Sequence, residues 1–358
     1  MVPENLEKIP IHFILSTGRT GSTLLSTMLN AHTEVLSVSE QPFTLNLVDG
    51  YANIKTWNQK TIDKFTNDFM LFATEKLSTQ FSSSNTLHKL LLEYKNKLDF
   101  QTAVRLSFLS FFPLKDKSKI KTFVEKELIF HTQIKKITKI YPDAKFILLT
   151  RDPRDNVQIK INRAKRRNEK FNVYRFVAAW KIVYQTLFYN LHKHAKDKFI
   201  VVRYEDIVLN TETTIKNICK FLRIEYNAEM MQYYEKNRNE FEQRKKKIPE
   251  NLVNQLLRDH QGLLKKISTD KVEIWKKEMS KELSDKIWNE CKNLSEIFGY
   301  KQNENNINRD SKLGLGFNLF QIWFYCYNVI RPKIYFYVPF WIRRNYKKLK
   351  VKNADILN

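Results

Sequence analysis

Short apolar runs alternate along the chain with segments whose apolar residues recur at helical spacing. The strands that these runs predict lie at residues 11–16, 35–40, 121–127, 144–150 and 199–202, and the signal at 144–150 is the strongest. Runs of this length predict buried strands, and each is followed by a helical pattern. Strands that alternate with helices favour a parallel, doubly wound sheet covered on both faces. We therefore predict an α/β fold whose ligand-binding loops gather at the carboxyl ends of the strands.

A glycine turn joins the first predicted strand to a helix that begins at Ser22. Gly18 and Gly21 allow the backbone to approach a ligand closely, and the helix N-terminus favours an anion. A nucleotide-triphosphatase P-loop has four residues between its glycines and a lysine after the second. Here two residues separate the glycines and Ser22 follows, so the turn is only P-loop-like. Its missing lysine argues against ordinary nucleoside triphosphate hydrolysis, and a turn without a ligand is the alternative.

Two further strand ends carry charged residues suited to chemistry. Glu40 follows the second strand, where a carboxylate beside a phosphate-binding turn could act in acid–base catalysis, although an exposed loop glutamate is equally consistent. Arg151 follows the strand at 144–150, and Asp152 with Pro153 then starts a helix. This position favours anion binding over a solvated charge cluster. Residues 43–120 are predicted to be mainly helical, and residues 275–300 a closing amphipathic helix.

Composition limits the classes of partner and compartment. The net charge is +24, which favours a phosphorylated or polyanionic ligand, an anionic membrane or nucleic acid. Dispersed basic residues and the lack of a reading motif argue against nucleic acid. The scattered Cys219, Cys291 and Cys326 indicate neither a metal site nor a disulfide framework. The first strand begins so early that we expect no cleaved signal peptide, and a reducing cytoplasmic setting follows.

The composition changes after residue 300. We predict a main domain over residues 1–300, an Asn-rich linker at 301–312 and a tail at 313–358 that is rich in aromatic and basic residues. Aromatic residues flanked by cations suit an anionic membrane interface, here peripheral contact on the inner face of the membrane. Packing onto the domain or a second subunit is the next alternative, and a transmembrane helix is the third.

Several motifs together resemble the sulfotransferases that use 3′-phosphoadenosine-5′-phosphosulfate (PAPS). The resemblance is to the branch that contains protein-tyrosine sulfotransferases and bacterial sulfotransferase-family proteins, and it covers roughly residues 10–300. The matching pieces are Gly18-Arg-Thr-Gly-Ser-Thr-Leu-Leu25, Glu40, Lys126, Ala144-Lys-Phe-Ile-Leu-Leu-Thr-Arg-Asp-Pro-Arg-Asp155, Arg203-Tyr-Glu-Asp206, Leu264-Lys-Lys-Ile267 and Trp275. Single motifs are weak, but their shared order and spacing are specific.

The resemblance implies roles for individual residues. Glu40 would remove the proton of the acceptor hydroxyl, and Arg19 with Lys126 would stabilise charge on the departing phosphate. The resemblance implies a cofactor site formed by Gly18, Arg19, Thr20, Gly21, Ser22, Thr23, Arg151, Arg163, Tyr204 and Lys265, without a metal. Ile159 stands where the family usually has a serine on the 3′-phosphate, so Asn156, Gln158 or Arg163 would substitute. Glu127 and Leu128 stand where a proline is frequent.

The predicted function is therefore PAPS-dependent sulfuryl transfer to a hydroxyl acceptor, which could be a glycan, a lipid or a tyrosine-like group. A P-loop kinase acting on a small molecule is the first alternative, and it requires ATP and magnesium. The second is a non-catalytic module that binds polyanions or membranes. The sequence identifies neither the acceptor nor the oligomeric state.

Overall fold

The computed structural model describes residues 2–73, 81–128, 130–246, 250, 253–254, 257, 261–302 and 311–356. Its centre is a sheet of five parallel strands in the spatial order second, third, first, fourth, fifth. The strands are β1 (Ile11–Leu15), β2 (Val35–Ser39), β3 (Thr122–Glu127), β4 (Phe146–Thr150) and β5 (Phe199–Arg203). All five coincide with the predicted apolar runs, and the predicted parallel sheet is confirmed.

Helices connect the strands and extend beyond the last one. In chain order they are α1 (Ser22–Ala31), α2 (Phe43–Tyr51), α3 (Gln59–Phe72), α4 (Ser84–Glu93), α5 (Phe100–Leu109), α6 (Ile134–Ile140), α7 (Pro153–Arg166), α8 (Val173–His194), α9 (Tyr204–Leu209), α10 (Thr211–Leu222), α11 (Tyr233–Lys245), α12 (Trp275–Glu278), α13 (Lys281–Ile297), α14 (Leu315–Tyr325), α15 (Arg331–Tyr337) and α16 (Phe340–Ile356). A π-helical turn, Cys326–Ile330, joins α14 to α15.

Two hydrophobic clusters cover opposite faces of the sheet. Successive side chains of a strand point to opposite faces, so neighbouring residues of β1 enter different clusters. Phe13 joins the cluster formed with α2 to α8, whereas Ile14 joins the cluster formed with α1, α10 and α11. Both faces are thereby buried, and the polar groups that matter for binding are left at the carboxyl ends of the strands.

The predicted closing helix at residues 275–300 is wrong in one respect, because it is two helices. Helix α12 ends at Glu278 and α13 begins at Lys281. The side chain of Ser280 accepts a hydrogen bond from the backbone N–H of Leu283 at 3.3 Å, which caps the second helix. The apolar spacing continues across this break, so periodicity alone did not reveal it.

The tail packs against the main domain through one side. Phe317, Phe324 and Val329 are buried in the larger core cluster. Further along, the guanidinium of Arg343 pairs with the carboxylate of Asp49. Across the described ranges, none of the helices is both long enough and apolar enough to cross a bilayer. Most of the predicted linker, residues 303–310, lies outside the described residues, and the proposed domain division stays a prediction.

Candidate active site

The turn after β1 is shaped by close packing on one side and open space on the other. Gly21 has a φ of +84°, and a Cβ atom there would lie 2.5 Å from Cδ2 of Tyr204. Only glycine fits such a position, since a side chain is disfavoured by both the backbone conformation and the neighbouring ring. At Gly18, by contrast, a Cβ atom would meet nothing within 4 Å. The turn therefore exposes its backbone at Gly18 to the space in front of the sheet.

Helix α1 follows this turn and presents its N-terminus to the same space. Gly21 occupies the cap position and contributes no capping side chain, and the first turn holds no acidic residue. Ser22 and Thr23 line the open space in front of the helix. The unsatisfied N–H groups and the helix dipole therefore favour an anion at this point.

Glu40 and Lys126 meet at the carboxyl ends of β2 and β3. The parallel register pairs Ser39 with Lys126, so Glu40 follows directly beside that lysine. The backbone N–H of Glu40 donates to the carbonyl of Lys126 at 2.8 Å, and Nζ of Lys126 pairs with Oε1 of Glu40. Only 2% of the Lys126 side chain is exposed against 24% of Glu40. The buried ammonium of Lys126 is stabilised by this carboxylate, and the exposed part of Glu40 faces the cleft.

Arg151 is held at the end of β4 by contacts on several sides. Its guanidinium lies 4.1 Å from the ring centroid of Tyr204 and donates to the carbonyls of Arg19 and Lys271. Its own carbonyl accepts a hydrogen bond from the indole of Trp180 at 2.8 Å. Within the described residues, the buried Nε of Arg151 has no hydrogen-bond partner. That unsatisfied donor beside the glycine turn is suited to an anionic ligand.

Asp155 lies one helical turn beyond Arg151 and ties the far wall of the site to α7. It accepts hydrogen bonds from the backbone N–H groups of Glu273 and Trp275 at 2.8 and 3.1 Å. Burial raises the pKa of this carboxyl to about 6, although Arg151 at 3.9 Å opposes the shift. The segment after residue 268 is thereby fixed over the cleft.

These elements enclose one cleft of about 760 Å³ with a strongly positive lining. Among the residues that the structure describes, three acidic residues face it, namely Glu40, Glu169 and Asp270. Ten basic residues of the described ranges face it, namely Arg19, Lys126, Arg151, Lys160, Arg163, Lys170, Arg175, Lys265, Lys266 and Lys271. Burial, followed by Arg19 and Arg151, lowers the pKa of Lys271, which is a direct sign of crowded positive charge. A cleft of this charge selects anionic ligands.

The structure brings nearly all of the predicted site residues into this cleft. Those that line it are Gly18, Arg19, Gly21, Ser22, Thr23, Glu40, Lys126, Arg151, Arg163, Tyr204 and Lys265. Thr20 is the exception, because it is buried and its hydroxyl donates to the carbonyl of Thr17 at 3.0 Å. The side chain of Thr20 therefore holds the turn together and does not line the cleft, and its place in the cofactor site stays a prediction.

The three predicted substitutes for the family serine are placed differently. Arg163 lines the cleft together with Ile159. The amide of Asn156 donates to the carbonyl of Gly18 at 3.1 Å and so supports the glycine turn. Gln158 donates to Asn162 and to Glu278. Of these three residues, Arg163 is the one positioned to contact a ligand directly.

Sequence reasoning missed Lys160, Arg175 and Lys271. Lys160 lies four residues after Asn156 and three before Arg163, which places all three on one face of a helix. That spacing could have identified it. Arg175 and Lys271 reach the cleft from α8 and from the segment before α12, and no local pattern indicates this.

Comparison with known proteins decides the family. A model of the sulfotransferase family matches residues 10–228, which is more than half of the chain. The chain belongs to the sulfotransferase family. Protein-tyrosine sulfotransferase 1 of Danio rerio is 25% identical to it over 230 residues, or 63% of this chain. The match spans 57% of the length of that relative.

A solved structure with a TM-score above 0.5 supports the fold. The sulfotransferase domain from the curacin biosynthetic pathway matches 82% of this chain and 99% of its own, with a TM-score of 0.51 and 18% identity. The sulfotransferase domain of the Synechococcus PCC 7002 olefin synthase matches 84% of this chain and 97% of its own, with a TM-score of 0.49 and 18% identity.

Among the described residues, no group of three or more His, Cys, Asp or Glu side chains is placed to hold a metal ion.

Proposed function

We propose that this sulfotransferase moves the sulfuryl group of PAPS to a hydroxyl acceptor, and that Glu40 is the general base. The observation that carries the proposal is the Glu40–Lys126 pair, which lies with Arg19 in a cleft whose lining is mostly cationic. A glycan, a lipid or a tyrosine-like hydroxyl all remain candidate acceptors. No metal is part of the proposal, because the chain's own cations supply the positive charge.

The residues present fit the cofactor at both of its anionic ends. When bound, PAPS would supply the activated sulfuryl group and an adenosine bisphosphate leaving group. The open space at Gly18 and the N-terminus of α1 would receive the phosphosulfate. Arg151, with its unsatisfied Nε, would hold the 3′-phosphate, supported by Arg163 and Lys265. Tyr204, already stacked on Arg151, is suited to border the adenosine.

Glu40 and Lys126 are proposed to act as one unit. Lys126 fixes the carboxylate of Glu40 at the cleft wall, so that Oε of Glu40 can accept the proton of an acceptor hydroxyl. Lys126 and Arg19 would both stabilise negative charge that develops on the leaving side. The chain would thus supply positioning and charge stabilisation, which are the main demands of this class of group transfer.

The tail is proposed to hold the enzyme on the inner face of an anionic membrane. Fourteen of the 21 large hydrophobic side chains exposed in the described residues lie between Leu315 and Val351. No acidic residue occurs between Ser311 and Ala354. An outward surface of aromatic and aliphatic side chains with cations beside it matches an anionic bilayer interface.

Liposome flotation tests the membrane proposal. The double variant Trp323→Asp, Trp341→Asp changes two exposed tail residues, and should lower binding to vesicles that contain phosphatidylglycerol. The matched control is Tyr189→Asp, since Tyr189 is 61% exposed on α8 and lies outside the tail. Equal flotation of the double variant and the control would contradict the proposal.

A transfer assay tests the proposed chemistry. Purified protein is incubated with PAPS and a panel of hydroxyl acceptors, and adenosine 3′,5′-bisphosphate release is measured. Glu40→Gln should lower kcat by about 10²- to 10⁴-fold, the usual contribution of a general base, and leave affinity for the bisphosphate unchanged. Glu169→Gln is the control, because Glu169 lines the same cleft. Equal kcat for Glu40→Gln and wild type would exclude the proposed base.

A further inference from the structure

The cations of the cleft stand on different elements. Arg151 follows β4, and its guanidinium lies 4.1 Å from the ring centroid of Tyr204. Lys160 and Arg175 line the same cleft from α7 and α8. After burial itself, Arg175 and Arg19 lower the pKa of Lys160. Lys160 and Arg175 are therefore carried by elements other than the strand end that carries the proposed 3′-phosphate contact.

Lys160 and Arg175 converge from two helices without an acidic partner. Lys160 projects from α7 towards the start of α8, where its Nζ lies 5.8 Å from the ring centroid of Phe176. Within the described part of the chain, neither side chain forms an ion pair. Lys160 is half-buried and Arg175 is exposed. Burial and the positive charge of Arg175 both disfavour a charged Lys160. Such a pair is stabilised when an anion lies between its members.

We propose that Lys160 and Arg175 form a second anion site in the cleft, which binds a phosphate group carried by the acceptor. The proposal rests on the proposed function and specifies the acceptor class. Two cations neutralise the charge of about −1.5 to −2 that a phosphate monoester carries near neutral pH, and they also suit the single negative charge of a lipid phosphodiester. An acceptor anchored at Lys160 and Arg175 would present a hydroxyl towards Arg19 and Glu40, which line the same cleft.

The phosphate could belong to a soluble ester or to a membrane lipid. Tyr174, the residue before Arg175, donates a hydrogen bond to the carbonyl of Leu313 at 3.3 Å and packs against Phe317 with ring centroids 5.5 Å apart. The second anion site is thus next to the first helix of the tail. A lipid headgroup and a free phosphate ester share the chemistry that this site recognises, and the experiment separates them.

Selective acylation of Lys160 is the test, read by mass spectrometry with adenosine 3′,5′-bisphosphate saturating the cofactor site. Burial, Arg175 and Arg19 lower the pKa of Lys160 to about 7, so a large share of this amine is uncharged and reactive near neutral pH. Inorganic phosphate or glycerol phosphate should then protect Lys160 severalfold. Arg175→Gln should abolish this protection and slow the labelling of Lys160. Arg175→Lys should keep the protection and the wild-type rate of labelling.

The outcomes are distinct. Protection by soluble phosphate supports a soluble phosphorylated acceptor. Protection only by vesicles that contain phosphatidylglycerol, compared with neutral vesicles, supports a lipid headgroup. Wild-type protein that binds the bisphosphate but shows no protection by either probe overturns the second anion site and leaves the proposed function intact. Failure to bind the bisphosphate would instead contradict the proposed function itself.

Discussion

The two glycines of the turn after β1 should respond in opposite ways to alanine. Gly21→Ala places a side chain at a φ of +84°, which costs about 1–2 kcal/mol, partly offset by about 0.4–1 kcal/mol from a less flexible unfolded chain. The new Cβ would also lie 2.5 Å from Cδ2 and 3.0 Å from Cε2 of Tyr204. Displacing that ring weakens its contact with Arg151, worth about 0.5–2 kcal/mol. Together these contributions predict a loss of about 2 kcal/mol in unfolding free energy.

Gly18→Ala is the matched variant. Gly18 has no positive φ and its Cβ would meet nothing within 4 Å, so the unfolding free energy should be unchanged or slightly higher. Its methyl group would, however, enter the cleft and weaken binding of adenosine 3′,5′-bisphosphate. Urea unfolding and calorimetric titration of both variants separate the two effects. Equal stability of Gly21→Ala and Gly18→Ala would refute the packing argument for this turn.

Two further changes test the framework around the cleft. Burial raises the pKa of Glu205 to about 7 from its ordinary value of 4.5, so between these pH values the folded protein keeps a proton there that the unfolded chain has released. The free energy of unfolding should therefore fall as pH rises from about 4.5 to about 7, by up to about 1.4 kcal/mol per pH unit. Glu205→Gln should flatten this pH dependence in urea unfolding, and an unchanged pH dependence would contradict the assignment. Arg343→Ala leaves Asp49 without its buried partner and should destabilise the tail by about 2–3 kcal/mol, since Asp49 is 31% exposed and keeps Lys136. Limited proteolysis should then release the tail faster than in Lys348→Ala, and equal rates would count against the tail packing.

Local patterns were sufficient for the sheet and for the turn. The strands are mostly apolar because both faces of the sheet are largely buried, and Gly21 before Ser22 marks the start of α1. Glu40 and Lys126, 86 residues apart, meet at the carboxyl ends of two strands, where ligand-binding loops were expected. The role of Lys126 came from the family resemblance alone.

Contacts that depend on the packing of distant elements could not be predicted in the same way. Arg343 and Asp49 are 294 residues apart, and nothing near either residue indicates the other. The side on which the tail packs is decided by the buried Phe317 and Phe324, which in the sequence look the same as the exposed Trp323. Lys160 is a different case, because its spacing from Asn156 and Arg163 places it on the same helix face and could have been recognised in the sequence.

The most direct test of PAPS-dependent sulfuryl transfer is calorimetric titration of the purified protein with adenosine 3′,5′-bisphosphate, beside ATP with magnesium. We expect tight binding of the bisphosphate and weak binding of ATP. Arg19→Ala and Arg151→Ala should lose this binding, whereas Lys170→Ala, which removes another cation from the same cleft, should largely retain it. Preference for ATP with magnesium would indicate a kinase, and bisphosphate binding that survives both arginine changes would contradict the proposed site.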